Sequence, residues 1–181
     1  MKKHAIVLAA LIGAASAQAQ VYGTIAGGTT HLGMDCAGTT SCDTSGTGVK
    51  LVGGYEFGNG FSVEAGYIGF GKFRAADNTA SVTMKPTAIT LGGAFAMPLG
   101  SDWGMNVRLG IAQVKTKASA TVGSASGSES ESKAKVYAGL GVTYAISKAV
   151  KFELGVDSTQ SEIAGEKGTV RLISLGATFS F

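Results

Sequence analysis

The chain has 181 residues, with 15 Lys and Arg against 12 Asp and Glu, 28 Gly, 2 Pro and a positive mean hydropathy. That length suits one domain, and because Lys2 and Lys3 supply much of the small basic excess, the charge balance argues for no nucleic-acid partner. Beyond residue 19 no stretch of about 18 residues is continuously apolar, which excludes a spanning helix and leaves either a water-soluble β core or a barrel whose outside meets lipid.

The elements follow in chain order. Met1 to His4 is a basic start, Ala5 to Ala15 a short apolar run, and Ala17-Gln18-Ala19 a small-x-small site. Residues 1–19 therefore read as a cleaved secretory signal, and residues 20–181 as the mature domain. The first strand, residues 20 to about 33, is rich in Gly and Thr, and either Val21 or Tyr22 could face outward. Cys36 and Cys42 follow in a Gly/Thr/Ser/Asp stretch. Export to an oxidising compartment predicts a local disulfide between them. Metal binding is the weaker rival, since two thiols do not complete a tetrahedral site and no His stands beside them.

Seven further strands alternate with period two. Residues 49–57 turn Val49, Leu51, Gly53, Tyr55 and Phe57 to one side. Residues 61–70 do so with Phe61, Val63, Ala65 and Tyr67, and residues 87–97 with Ile89, Leu91, Phe95 and Met97. In residues 103–115 the set is Trp103, Met105, Val107, Leu109 and Ile111; in 133–145 it is Val136, Ala138, Leu140, Val142 and Tyr144. Residues 151–159 contribute Phe152, Leu154 and Val156, and residues 169–181 contribute Ile173, Leu175, Ala177, Phe179 and Phe181.

The opposite face collects the charge: Lys50, Glu56, Glu64, Arg108, Lys135, Lys151, Glu153 and Asp157, with Arg171 the exception near a strand end. An Arg or Lys on a lipid face costs about 2–4 kcal/mol at mid-membrane, which accounts for the segregation. A soluble sandwich would show the same alternation with the faces reversed. The connections decide between them. Residues 58–60, 98–102 and 146–150 are short turns, whereas 34–48, 71–85, 116–132 and 160–168 are long and polar. That is the short-turn, long-loop alternation of a bacterial outer-membrane barrel. Phe57, Phe61, Phe95, Trp103, Tyr144, Phe152 and Phe181 then share the level of the short turns as an aromatic belt. Tyr67, Phe70 and Phe73 are the candidates for a thinner outer belt. The fold class is all-β, an eight-stranded antiparallel up-and-down transmembrane barrel.

With its signal, eight-strand meander and terminal Phe179-Ser180-Phe181, the mature chain resembles the small OmpA-like and OmpX/NspA-like outer-membrane barrels of Gram-negative bacteria. The resemblance implies an outer-membrane location, and it makes Phe179 and Phe181 a signal for the outer-membrane assembly machinery. It covers the barrel alone and does not extend to the peptidoglycan-binding domain of full-length OmpA.

An eight-stranded barrel is just wide enough for side chains to fill. Lys50, Glu56, Glu64, Asn106, Arg108, Lys135, Glu153 and Asp157 are the expected lumen network. Arg108 is its natural hub, because a guanidinium can serve two carboxylates, here Glu64 and Glu153. Lys72, Arg74 and Arg171 are candidates for contacts with lipopolysaccharide phosphates. Residues 116–132 read as a mobile, solvated loop open to a surface ligand or host partner. No cofactor is expected, and no motif for one is present.

Three functions follow from this reading. The first is a non-enzymatic barrel with an envelope-structural and surface-loop role. The second is a narrow channel for ions or small solutes. The third, a lipid-modifying barrel enzyme, would need His31 with Ser41, Ser174 or Asp35, and no motif places them together.

Overall fold

The structure is a computed structural model and describes residues 20–33, 40–77, 80–122, 125–163 and 165–181. The expected signal, residues 1–19, and Cys36 lie outside the described residues.

Ten strands are formed: β1 (Gln20–Gly33), β2 (Ser41–Asp43), β3 (Ser45–Glu56), β4 (Phe61–Gly69), β5 (Phe73–Ala76), β6 (Ala80–Pro98), β7 (Trp103–Val122), β8 (Ala125–Ala145), β9 (Val150–Ile163) and β10 (Glu166–Ser180). Eight of them make the wall, in the order β1, β3, β4, β6, β7, β8, β9, β10, and β10 returns to pair with β1. Every pairing is antiparallel. The closed ladder gives each wall strand two partners, which is what a medium without water demands. The two short strands, β2 and β5, pair with each other, and β5 continues onto the outer end of β6.

The predicted facing is observed on every strand where it was assigned. Leu51, Ile89, Leu91, Leu109, Ile111, Leu140, Leu154, Ile173 and Leu175 are each about half exposed or more on the outside. Lys50, Arg108, Glu153 and Asp157 are buried inside. On β1 the ambiguity resolves in favour of Val21 outside, since the Tyr22 hydroxyl reaches Ser62 and Glu64 within. At the short-turn end Phe57, Phe61, Trp103, Tyr144, Phe152, Phe179 and Phe181 are exposed around the rim. Phe61 stacks on Phe95 at 4.5 Å and Trp103 on Tyr144 at 4.9 Å, so the belt is continuous across strand pairs.

Two expectations are corrected at the long-loop end. Phe70 and Phe73 are fully buried and belong to no outer belt. After β4 the chain turns at Gly71, with φ of +80° and the Thr47 carbonyl oxygen 2.3 Å from where a Cβ would stand. Only glycine tolerates that combination, and the turn drives both phenyl rings inward. Of the three candidates, Tyr67 alone is exposed.

The second correction concerns residues 71–85, 116–132 and 160–168, which are largely strand rather than loop. The β6–β7 ladder runs without a break from Pro98↔Gly104 to Ala80↔Val122, and the β7–β8 ladder reaches Val122↔Ala125. These strands continue well past the apolar band as a free-standing sheet. Over residues 117–122 and 125–132 both faces of this sheet are open to water, so no apolar alternation marks them.

Candidate functional site

Two features beyond the wall itself carry chemistry: the closed lumen and the outer sheet. The lumen is built in layers along the inward positions of the strands. At the short-turn end a cavity of about 510 Å³ opens between the turns, with Glu56, Asn59, Lys151, Thr178 and Ser180 on its sides and Glu64, Arg108 and Glu153 at its inner end. The inner end is a single hydrogen-bonded cluster. Arg108 donates Nε to Glu64 Oε2 at 2.9 Å, and its two terminal nitrogens grip Glu153 at 2.9 and 2.7 Å. Asn106 Nδ2 donates to Glu153 Oε2 at 2.8 Å. Lys50 Nζ bridges Glu153 at 3.0 Å and Asp157 at 2.7 Å. Two tyrosine hydroxyls finish the set, Tyr22 donating to Glu64 at 2.6 Å and Tyr137 donating to Asp157.

Two cations thus face three carboxylates, and the two phenol donors stabilise what remains of the negative charge. An ion cluster this deep is tolerable only when its members are paired, and each of these charged groups has a partner. The small residues Gly139, Gly141 and Gly155 make the room for it. A Cβ at Gly141 would stand 2.4 Å from the Asn106 side-chain oxygen, and one at Gly139 would stand 2.7 Å from Asp157.

Beyond the ion cluster, towards the long-loop end, the lumen becomes apolar. Leu32, Ile68, Phe70, Phe73, Ala88, Ala112, Val114, Val170 and Leu172 form one buried cluster with Tyr137. Thr30 Oγ1 donates to the Phe70 carbonyl at 2.7 Å and pins the ring-bearing turn over the mouth. The sequence reading did not find this layer. Its signal was that apolar residues occupy both parities of a strand near its outer end, as in Tyr67-Ile68.

Of the expected network residues, Lys50, Glu64, Asn106, Arg108, Glu153 and Asp157 come together. Glu56 lines the cavity nearer the turns and Lys135 stands apart from the cluster. Lys135 lies midway along β8, beyond its ladder with β9, and pairs with Glu162 on β9. That hydrogen bond holds the Glu162 carboxyl below its ordinary range.

Lys72, Arg74 and Arg171 are all exposed, but they are not one site. Arg171 sits on β10 opposite His31 of β1, half a circuit of the wall from β6. Arg74 sits on β5 opposite Thr83. It shares the outward face of the outer sheet with Lys85, Lys115 and Lys117, and the register sets Lys85 opposite Lys117. Lys117 lies in the segment 116–132 read as loop and Lys115 closes the predicted strand 103–115, and neither is among the predicted phosphate contacts. His31 points outward whereas Ser174 is buried within, so the wall itself separates that candidate pair. Ser41 lies on β2, and Asp35 is outside the described residues. Cys42 is not a free thiol. Among the described residues no group of His, Cys, Asp and Glu is arranged to hold a metal ion.

The family model described as outer membrane protein beta-barrel domain matches residues 5–181. Among solved structures, the chain is similar to Ail of Yersinia pestis in complex with the heparin analogue sucrose octasulfate, at 20% identity and a TM-score of 0.59, covering 91% of this chain and 99% of that one. Neisserial surface protein A aligns at 15% identity with a TM-score of 0.62, over 91% of this chain and 98% of the other. The N-terminal β-barrel domain of OprF from Pseudomonas aeruginosa aligns at 12% identity and 0.53, with coverages of 91% and 98%. No curated protein sequence matches.

Proposed function

Because this chain belongs to the outer membrane protein β-barrel family and sits in the Gram-negative outer membrane, we propose that it is a non-enzymatic barrel that stiffens the envelope and holds a charged sheet at the cell surface. The observation that carries this is the closed lumen. A solute entering from the short-turn side meets the Arg108 cluster and then the buried layer of Ile68, Phe70, Phe73 and Leu172, which supports a filled tube over a conducting one. What extends into water is the sheet of β6, β7 and β8.

The expected result is that purified, refolded protein gives no single-channel steps in a planar bilayer, and that lipid A from cells with and without it has one mass spectrum. Reproducible steps would move the reading to the narrow channel, and a changed lipid A spectrum would move it to an enzyme.

In this reading Phe179 and Phe181 are presented to the assembly machinery, and the exposed basic groups contact lipopolysaccharide phosphates. Arg171 serves one side of the barrel. Arg74, with Lys85, Lys115 and Lys117, serves the other. These cations stand just beyond the outward apolar positions Ile89, Ile111 and Ile173, the level at which phosphates of the outer leaflet lie. The solved Ail complex holds a sulfated polyanion, which is compatible chemistry. The triple substitution Lys85→Ser, Lys115→Ser and Lys117→Ser should weaken lipopolysaccharide binding about tenfold at low salt and flatten its salt dependence. Titration of fluorescent lipopolysaccharide into detergent-solubilised protein measures this, and an unchanged curve would reject the contact.

A further inference from the structure

We infer that the free edge of β8 is a self-recognition surface through which two copies of this chain pair. β8 bonds to β9 only from Ala138↔Ser158 to Ala145↔Lys151. Above that point the ladder ends, and Thr159 Oγ1 donates to the Val136 carbonyl in place of a backbone donor. From 125 to 137 the strand bonds to β7 on one side, and among the described residues no ladder forms on the other. Such an edge offers alternate backbone donors and acceptors to any extended segment that matches it.

The sequence of that edge says which segment matches. Residues 129–135 read Glu-Ser-Glu-Ser-Lys-Ala-Lys. The four charged residues share one face of β8, and Ser130, Ser132 and Ala134 share the other. Let the strand pair antiparallel with a second copy of itself about Ser132. Glu131 then faces the partner's Lys133, and Glu129 faces the partner's Lys135, each twice by symmetry. Serines and alanine meet on the opposite face. Moving the register by two residues sets Lys133 against Lys133 or Glu131 against Glu131 and leaves two opposite-charge pairs in place of four; moving it by four sets Lys133 against Lys135 or Glu129 against Glu131. A parallel in-register pair sets every charge against its like. Opposite charges directly across a ladder are stabilising and like charges destabilising. The pattern therefore selects one antiparallel register, with a two-fold axis through Ser132, and rejects open-ended stacking. The charged stretch that pairs, 129 to 135, lies short of Val136, whose carbonyl Thr159 already occupies, and outside the β8–β9 ladder.

The side chains involved are within reach of the exchange. Lys133 is 3.0 Å from Glu131 in its own strand, with the two side chains 47% and 26% exposed. Lys135 is shared with Glu162, so pairing brings that lysine a second carboxylate rather than creating a new buried charge.

The inference rests on the outer sheet being the interacting part of the molecule, and its test is separate from the conductance and lipopolysaccharide measurements. Ser132→Cys in full-length protein, in detergent or nanodiscs, should give a disulfide-linked dimer on mild oxidation, since directly opposed Cβ atoms lie about 4.5–5.5 Å apart. Wild type and Thr121→Cys on β7 should stay monomeric on a non-reducing gel. The double variants Glu129→Lys with Glu131→Lys, and Lys133→Glu with Lys135→Glu, should each associate about 100-fold more weakly than wild type in sedimentation. Mixed in equal amounts they should form a heterodimer, a result that also shows both are folded. A Ser132→Cys protein that does not crosslink overturns the self-pairing, as do charge variants that associate like wild type. Either outcome leaves the surface-sheet reading to its own measurements.

Discussion

Arg108→Met is expected to destabilise the folded barrel by about 3–5 kcal/mol, the largest single effect in the molecule. Arg108 carries the bonds to both Glu64 and Glu153, with side chains 3%, 9% and 2% exposed. Removing it strands two carboxylates where water reaches only from one side. Lys50 retains Glu153 and Asp157, and Tyr22 retains Glu64, but neither replaces the planar fork that held both acids. The companion triple variant Arg108→Met, Glu64→Gln and Glu153→Gln should recover much of the loss, because the cost comes from unpaired charge rather than from missing attraction. Urea unfolding from lipid vesicles, followed through the single tryptophan, Trp103, reads both variants. A single variant within about 1 kcal/mol of wild type would mean that the cluster is not the keystone of the lumen.

Leu109→Arg is expected to cost about 2–4 kcal/mol and to slow insertion into bilayers. Leu109 is 62% exposed and lies between Val107 and Ile111 on the outward face of β7, midway along its apolar run. Its neighbour in sequence, Arg108, is 2% exposed. One residue therefore separates a position where a guanidinium is needed from one where it is ruinous. Asn106→Arg, inward and bordering the open cavity, should be milder. The comparison is made in the same vesicles by the same fluorescence signal. If the Asn106 variant suffered more, the two sides of the wall would have to be exchanged.

The parts of this fold that were legible in the sequence are those where hydrocarbon imposes a rule. Between the rims, a misplaced charge is so costly that Lys50, Glu64, Arg108, Glu153 and Asp157 could only point inward. The strand facing followed, and with it the position of Arg108 as hub. Outside the hydrocarbon that rule lapses. Lys117, Ser119, Ser128 and Ser130 lie where the strands have water on both sides, so that stretch carries no period-two signature and reads as loop. The apolar layer was hidden for a different reason. Phe70 and Phe73 look like belt residues by composition and height, and their inward turn depends on the backbone at Gly71. Tyr22 was undecided because β1 alternates glycine with threonine and alanine, so neither face was clearly greasy.

The closing seam has a consequence for biogenesis. β1 and β10 join over twelve residue pairs, from Tyr22↔Ser180 to Gly33↔Thr169, and they are the first and last strands of the wall. Until that seam zips, the partly built sheet has two bare rims and an oily surface with no lipid around it. No run of fewer strands satisfies both rims, so closure of this wall comes only with its last strand.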